Sequence, residues 1–144
     1  MTTEETRAAI VAEARLWLGT PYHHAARVRG SGVDCAMLLA EVYNAAGAIP
    51  PVAVGTYPPD WHLHRADERY MATVLDYATE IDTTPAPGDV ALFRFGRCYS
   101  HGAIVVQWPL AIHAYKGDGV VYAECTKGVL GSRPRKFYSL FGEE

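Results

Sequence analysis

The 144-residue sequence predicts one domain of the α+β class, with helices in its first half and an antiparallel sheet in its second. Two observations lead to this prediction. Apolar residues recur at helical spacing in three segments of the first 80 residues, and short runs rich in branched and aromatic residues follow the turn at Pro85–Gly88. A single domain over residues 1–144 fits the usual domain length of about 100–150 residues.

The first helix is predicted from apolar residues at i, i+1, i+4, i+7 and i+8 counted from Ile10, which form one helical face. Thr2 and Glu5 have the spacing of a capping box at its start. Gly19 and Pro21 end it.

The second helix is predicted from GVDCAMLLAEVYNAAG, with Asp34 at its N-cap, Cys35 in its first turn and Gly47 at its C-cap. A third helix is predicted over residues 66–80, where apolar residues repeat at the same spacing.

Four strands are predicted to form an antiparallel meander, because turn residues separate four short apolar runs. The runs are Val90–Phe95, Gly102–Gln107, Ala111–Tyr115 and Val120–Cys125. His101 is expected to open the second of these strands. The last twelve residues, RPRKFYSLFGEE, are interpreted as a short basic and aromatic strand or tail.

Charge and apolar patterning exclude several classes of protein. The 13 basic and 16 acidic side chains give a net charge of −3, so we expect no nucleic-acid partner. The longest apolar stretch near the start, Ala8–Ala12, is far shorter than the about 20 residues of a membrane span. It also gives no signal-peptide core, so we expect synthesis in the cytoplasm without a signal peptide. Three cysteines are too few for a disulfide framework.

Cys35 is the candidate nucleophile. At the start of a helix, unpaired N–H groups and the helix dipole stabilise a thiolate and can donate to an oxyanion. The neighbouring Asp34 raises the thiol pKa somewhat and is therefore interpreted as the cap. The alternative, that Cys35 is a small core residue, remains open on its position alone.

A nucleophilic cysteine needs a base, and two of the six histidines lie in predicted strands. His101 precedes the run GAIVV, while His113 lies between Ile112 and Ala114 and must face away from both. Its side chain then points to solvent or serves a site on the far face. Meeting across neighbouring strands, one histidine would be the base and the other its orienting partner.

A zinc site is the competing arrangement, and we do not favour it. Its ligands would be Cys98, His101, His113 and Cys125. However, His113 and Cys125 are too far apart in the sequence to form a compact pair. The pair His62 and His64 is a weaker possibility. We therefore expect neither a metal nor an organic cofactor. Tyr22 and Trp61, both in loops, can either line a cleft or pack.

Five motifs carry a family resemblance over essentially the whole chain. They are Gly19-Thr20-Pro21-Tyr22, Asp34-Cys35, Pro87-Gly88-Asp89, His101 in SHGAIVV and His113 in AIHAY. In order and spacing they resemble the NlpC-type cell-wall cysteine peptidases, which implies a minimal papain-like fold. Three further segments resemble the phage-tail and gene-transfer-agent branch: Asp60-Trp61, Phe93-Arg94 and Ile112–Tyr115.

The resemblance implies a cysteine hydrolase that cleaves peptidoglycan stem peptides. It makes Cys35 the nucleophile, His101 the base and His113 the residue that orients the base. It also implies delivery in a virion-like tail, with tail-tip proteins as partners. Endopeptidase and amidase activity both remain open.

The resemblance also gives expectations for the substrate side of the site. It assigns Tyr22 to the oxyanion, and Asp34 and Trp61 are candidates for substrate binding. The sequence departs from the family pattern in Ala36-Met37, where a small residue and glycine are usual, and in His23–Ala26, where a glycine pair is frequent. These departures concern substrate preference. The alternatives are a non-catalytic tail module of the same fold and a papain-like amidase or acyltransferase with a substrate outside the wall.

Overall fold

Helices precede most of the strands along the chain, as the α+β prediction requires. The computed structural model describes residues 1–52 and 69–141. In chain order the elements are α1 (Thr3–Leu16), β1 (Arg27–Val28), β2 (Gly32–Val33), α2 (Cys35–Ala45), α3 (Arg69–Leu75), β3 (Thr79–Ile81), β4 (Val90–Phe95), β5 (Cys98–Gln107), β6 (Leu110–Tyr115), β7 (Gly119–Glu124), α4 (Gly128–Gly131) and β8 (Arg135–Ser139).

The main sheet has six antiparallel strands in the order β3-β8-β4-β5-β6-β7, and β1 and β2 form a separate hairpin. The predicted meander is confirmed as β4 to β7. The C-terminal segment, which the sequence left as a strand or a tail, is the strand β8 between β3 and β4.

Helices α1 and α2 cover one face of this sheet. Ile10 of α1, Leu38 of α2 and the strand residues Leu92, Ile104 and Ile112 are fully buried in the core between them. A smaller apolar cluster lies on the opposite face, where Leu130 of α4 covers β4, β5 and β6. Both faces of the central strands are therefore buried, which explains their nearly continuous apolar sequences.

The ends of α1 confirm the sequence signals. The Thr2 side chain accepts from the Glu5 N–H, and the Glu5 carboxylate accepts from the Thr2 N–H, which completes the capping box. After the helix, Gly19 adopts a φ of +88° and donates its N–H to the Val120 carbonyl of β7. The chain therefore leaves α1 along the edge of the sheet.

Three predicted boundaries were wrong. The third helix ends at Leu75, and residues 79–81 form β3, because they pair with β8, a partner far away in the sequence; residues 66–68 lie outside the described residues. His101 is the fourth residue of β5 and not its first, since the β4–β5 hairpin continues back to Cys98. Gly47 follows the C-cap residue Ala46 and has a φ of +78°.

A buried ion pair joins α1 to the turn before β4. Arg7 Nη1 donates to Asp89 Oδ1 at 2.7 Å and to the Pro87 carbonyl at 2.9 Å. The second oxygen of Asp89 accepts the Ala86 N–H, which closes the turn. Tyr43 of α2 donates its hydroxyl to the Gly88 carbonyl. Both helices are thus fixed to this turn by side chains.

Candidate active site

Cys35 is the first residue of α2, and Asp34 is its N-cap. One Asp34 oxygen accepts the Met37 N–H at 2.9 Å, and the other accepts the Ala25 N–H at 2.7 Å. The carboxyl is buried, with 2% of the residue exposed. The predicted capping role is confirmed. Contact of Asp34 with a substrate stays a prediction, and the carboxylate already accepts two backbone hydrogen bonds.

The loop before α2 is held close to Cys35. Tyr22 forms a parallel bridge with Val33, and the Val33 N–H donates to the Pro21 carbonyl. Tyr22 is half-buried and packs against the core under α2. Its position next to the segment that leads into Cys35 agrees with the predicted place of Tyr22 at the site. The role in oxyanion binding stays a prediction.

The Cys35 thiol lies against β5 at the position before the candidate base. Its Sγ is 3.6 Å from the carbonyl oxygen of Ser100. The register of β4 and β5 shifts here, since His101 pairs with Phe93 whereas Tyr99 pairs with Arg94. This bulge leaves Ser100 without a partner on β4. It also brings the part of β5 that bears His101 to the start of α2.

The two predicted histidines are in direct contact across β5 and β6. His101 Nε2 and His113 Nδ1 are 2.8 Å apart, and the residues are 6% and 4% exposed. Ile112 and Ala114 lie in the core beneath the helices, so His113 faces the opposite way, as the alternation of a strand requires. The side chain is buried and so does not point to solvent, while its service to a site on that face stays a prediction.

Aromatic rings surround this histidine pair, and the sequence reasoning did not identify them. Tyr115 stacks on His113 with centroids 5.5 Å apart, and Phe95 lies 5.1 Å from His101. The guanidinium of Arg133 covers the Phe95 ring at 3.5 Å. For Tyr115 the sequence did carry a signal, because a residue two positions after His113 on the same strand faces the same side of the sheet. Phe95 and Arg133 had none, because they come from other elements.

Burial raises the pKa of the Cys35 thiol to about 12, and the negative charge of Asp34 adds to the rise. Backbone N–H groups, including those of Ala36 and Gly102, act in the opposite direction but are outweighed. The amides at the helix start therefore favour the thiolate, as expected, but they do not bring the thiol pKa below its ordinary value. The reason is that the sulfur is desolvated, and desolvation penalises the charged form more than the amides favour it.

Burial lowers the pKa of His113 to about 4, against a smaller opposing effect of Asp118. His113 is thus neutral at neutral pH. One of its ring nitrogens is then a donor and the other an acceptor, so it can accept a hydrogen bond from His101.

The depressed pKa of His113 predicts a pH-dependent stability. Between pH 6.5 and about 4 the unfolded chain binds a proton at His113 that the folded protein does not, so stability falls as the pH falls through this window. At about 1.4 kcal/mol per pKa unit, the loss reaches about 3 kcal/mol. Urea unfolding at a series of pH values measures it. His113→Gln removes this slope, whereas an unchanged slope in the variant would contradict the assignment.

The competing zinc arrangement is not assembled. Over residues 1–52 and 69–141, no three side chains of His, Cys, Asp or Glu are placed to hold a metal ion. Cys98 and Cys125 are both buried. Trp61, His62 and His64 lie outside the described residues, so their predicted roles stay predictions. Among the helices that the structure describes, none has the length and apolar character needed to cross a membrane.

The fold and the family to which the sequence belongs together define the class of protein, a papain-like cysteine peptidase. The sequence model of the NlpC/P60 family matches residues 19–137, and the chain belongs to that family. A search of curated proteins finds no relative.

Solved structures of the same family share this fold. The NlpC/p60 domain of the peptidoglycan hydrolase SagA has 23% identity and a TM-score of 0.64, over 90% of this chain and 96% of that one. A lipoprotein-like NLP/P60 protein of Staphylococcus aureus has 22% identity and a TM-score of 0.63, over 94% of this chain and 42% of that one. NlpC1 of Trichomonas vaginalis has 19% identity and a TM-score of 0.64, with 96% and 44% covered. This chain therefore spans less than half the length of the latter two proteins.

Proposed function

We propose that the protein hydrolyses stem peptides of peptidoglycan, with Cys35 as nucleophile, His101 as base and His113 as the residue that orients the base. The observation that supports this most directly is the 2.8 Å contact of the two histidines beside the strand position that the thiol touches. Membership of the NlpC/P60 family supports the cysteine chemistry, and the similarity in fold to SagA, a peptidoglycan hydrolase, supports the substrate.

The resting thiol is protonated, because its pKa lies about five units above neutral pH. His101 then acts as a general base and takes the thiol proton while the sulfur attacks the carbonyl carbon of the scissile amide. The tetrahedral intermediate collapses to a thioester, and the leaving amine takes the proton from His101. Water, activated by the same imidazole, hydrolyses the thioester and regenerates the thiol.

The histidine pair determines which nitrogen of His101 does this work. With Nε2 hydrogen-bonded to His113, Nδ1 is the atom that takes the thiol proton. Nε2 then carries a hydrogen and donates it to His113 Nδ1, which requires a neutral His113 with its own proton on Nε2. The lowered pKa of His113 meets that requirement at neutral pH.

Backbone amides at the start of α2 supply the charge stabilisation. The N–H groups of Cys35 and Ala36 already lower the thiol pKa, so they are directed at the sulfur. Groups that stabilise negative charge at the sulfur are close to the oxyanion as well, because it forms on the carbonyl carbon that the sulfur attacks. Tyr22 is the proposed side-chain donor to the same oxygen.

The protein is also proposed to be carried by a phage-tail or gene-transfer-agent particle, with tail-tip proteins as partners. The support is the segments that resemble that branch, of which Phe93-Arg94 lies on β4 and Ile112–Tyr115 on β6. Incorporation would bring the enzyme to the wall.

Digestion of purified peptidoglycan by the wild type and by Cys35→Ala tests the function. We expect the wild type to release peptide fragments whose masses identify the bond, and the variant to release none, because no other group replaces the sulfur. Cys125→Ala is the matched control, since this cysteine is buried with the cluster on the opposite face and should leave the products unchanged. Equal release by wild type and Cys35→Ala would exclude the cysteine mechanism. No release by either would favour a non-catalytic tail module.

A further inference from the structure

Positive charge is concentrated in two segments of the second half of the chain, although the chain as a whole is acidic. Residues 90–107 and 125–141 contain no aspartate or glutamate. Six of the 13 basic residues lie there: Arg94, Arg97, Lys127, Arg133, Arg135 and Lys136. The rest of the chain therefore carries all of the negative charge, and the field of this region attracts anions.

Two of these cations, Arg94 and Lys136, lie on the sheet face that the helices cover. Leu92, buried in the core on that face, is paired with Lys136 of β8. Arg94 follows Leu92 by two residues and so points to the same side, opposite its partner Tyr99 on β5. The three side chains of Arg94, Tyr99 and Lys136 thus continue the core face towards the end of the strands.

This face leads directly to the thiol. Tyr99 precedes Ser100, whose carbonyl is 3.6 Å from Cys35 Sγ, and its ring packs against the core beneath α2. The Lys136 ammonium lies 5.1 Å from the centre of the Tyr99 ring. With strands about 4.8 Å apart, β4 and β8 lie one and two strands from β5, a distance that two or three residues of an extended peptide span.

Within the described part of the chain, no ion pair involves Arg94 or Lys136. Ion pairs among residues 1–52 and 69–141 use Arg7, His24 and Arg27. Arg133 and Arg135, on the other face, donate to backbone carbonyls that include those of Arg94 and Cys125 and so serve the fold. Arg94 is exposed and Lys136 is half-exposed, so both can meet a ligand.

We infer that Arg94 and Lys136, one and two strands from Tyr99 on the same side of it, form with this tyrosine a subsite that binds a carboxylate of the peptide substrate. The inference rests on the proposed function, because stem peptides carry free carboxylates close to the bonds that such an enzyme cleaves. Two cations on one side of an aromatic ring bind a carboxylate by charge-assisted hydrogen bonds while the ring excludes water from one side of the ligand. The subsite selects substrates with a free carboxylate over the corresponding amides.

The test uses two synthetic stem tetrapeptides that differ only in whether their carboxyl groups are free or amidated. Their binding is measured by calorimetry to Cys35→Ala, which cannot cleave them, and to the same protein with Arg94→Gln and Lys136→Gln added. We expect the free acid to bind about tenfold more tightly than the amide in Cys35→Ala. In the triple variant we expect the free acid and the amide to bind with about equal affinity. Higher salt should weaken binding of the free acid only when both cations are present.

Arg15→Gln with Lys127→Gln, in the same Cys35→Ala background, is the matched control. Both side chains are exposed, neither lies on the face with Tyr99, and the change in net charge is identical. The control should retain the preference for the free acid. A preference that survives the loss of Arg94 and Lys136, or no binding of either peptide, would overturn the subsite. Because binding is measured without cleavage, this result is independent of whether the wild type proves to be a hydrolase.

Discussion

His101→Ala is expected to lower kcat/KM for peptidoglycan fragments by about 10³–10⁴, which is the usual effect of removing a general base. The structural reason is the thiol pKa of about 12. Because burial raises the thiol pKa well above neutral pH, attack must be coupled to removal of the proton by a neighbouring base.

Three measurements separate this role from a structural one. Far-UV circular dichroism and the unfolding midpoint should show that His101→Ala is folded. Added imidazole should restore part of the activity, because it can occupy the space of the missing ring and accept the proton. His113→Gln should reduce activity less, since the glutamine can still accept a hydrogen bond from His101 Nε2. Activity of His101→Ala within tenfold of the wild type would contradict the assignment.

Arg7→Met is expected to destabilise the protein by about 3–5 kcal/mol, the usual cost of removing one partner of a buried ion pair. Arg7 and Asp89 are 4% and 1% exposed, and the guanidinium also lies 4.5 Å from the Phe141 ring centre. The methionine leaves the Asp89 carboxylate buried without its cation. Because a domain of this size is stable by about 5–15 kcal/mol, urea unfolding should show a large fall in the midpoint.

Two companion variants define what is lost. Arg15→Met, two turns further along α1 and exposed, should change the free energy of unfolding by less than about 0.5 kcal/mol. Adding Asp89→Asn to Arg7→Met should recover part of the loss, because it removes the buried charge and keeps an oxygen that can accept the Ala86 N–H. If Arg7→Met lowers the free energy of unfolding by less than about 1 kcal/mol, the prediction is contradicted, and the Asp89 carboxylate is solvated by other groups.

Local signals in the sequence determined the elements that carry the candidate site. The capping residue Asp34 fixes where α2 begins, and so places Cys35 in its first turn. The alternation around His113 fixes which face of β6 its side chain takes. These predictions are confirmed because capping and strand alternation depend on residues within a few positions of one another.

Only the tertiary structure decided how these pieces meet. The 2.8 Å contact of His101 and His113 depends on the register of β5 and β6, and the approach of Cys35 to Ser100 depends on a bulge opposite β4. The C-terminal strand β8 pairs with β3, so that residues 79 and 80, predicted to end a helix, belong to a strand. The raised pKa of the thiol likewise comes from desolvation, which depends on how the whole chain packs around the sulfur. Short-range patterns cannot encode such contacts, because each is determined by residues far apart in the chain.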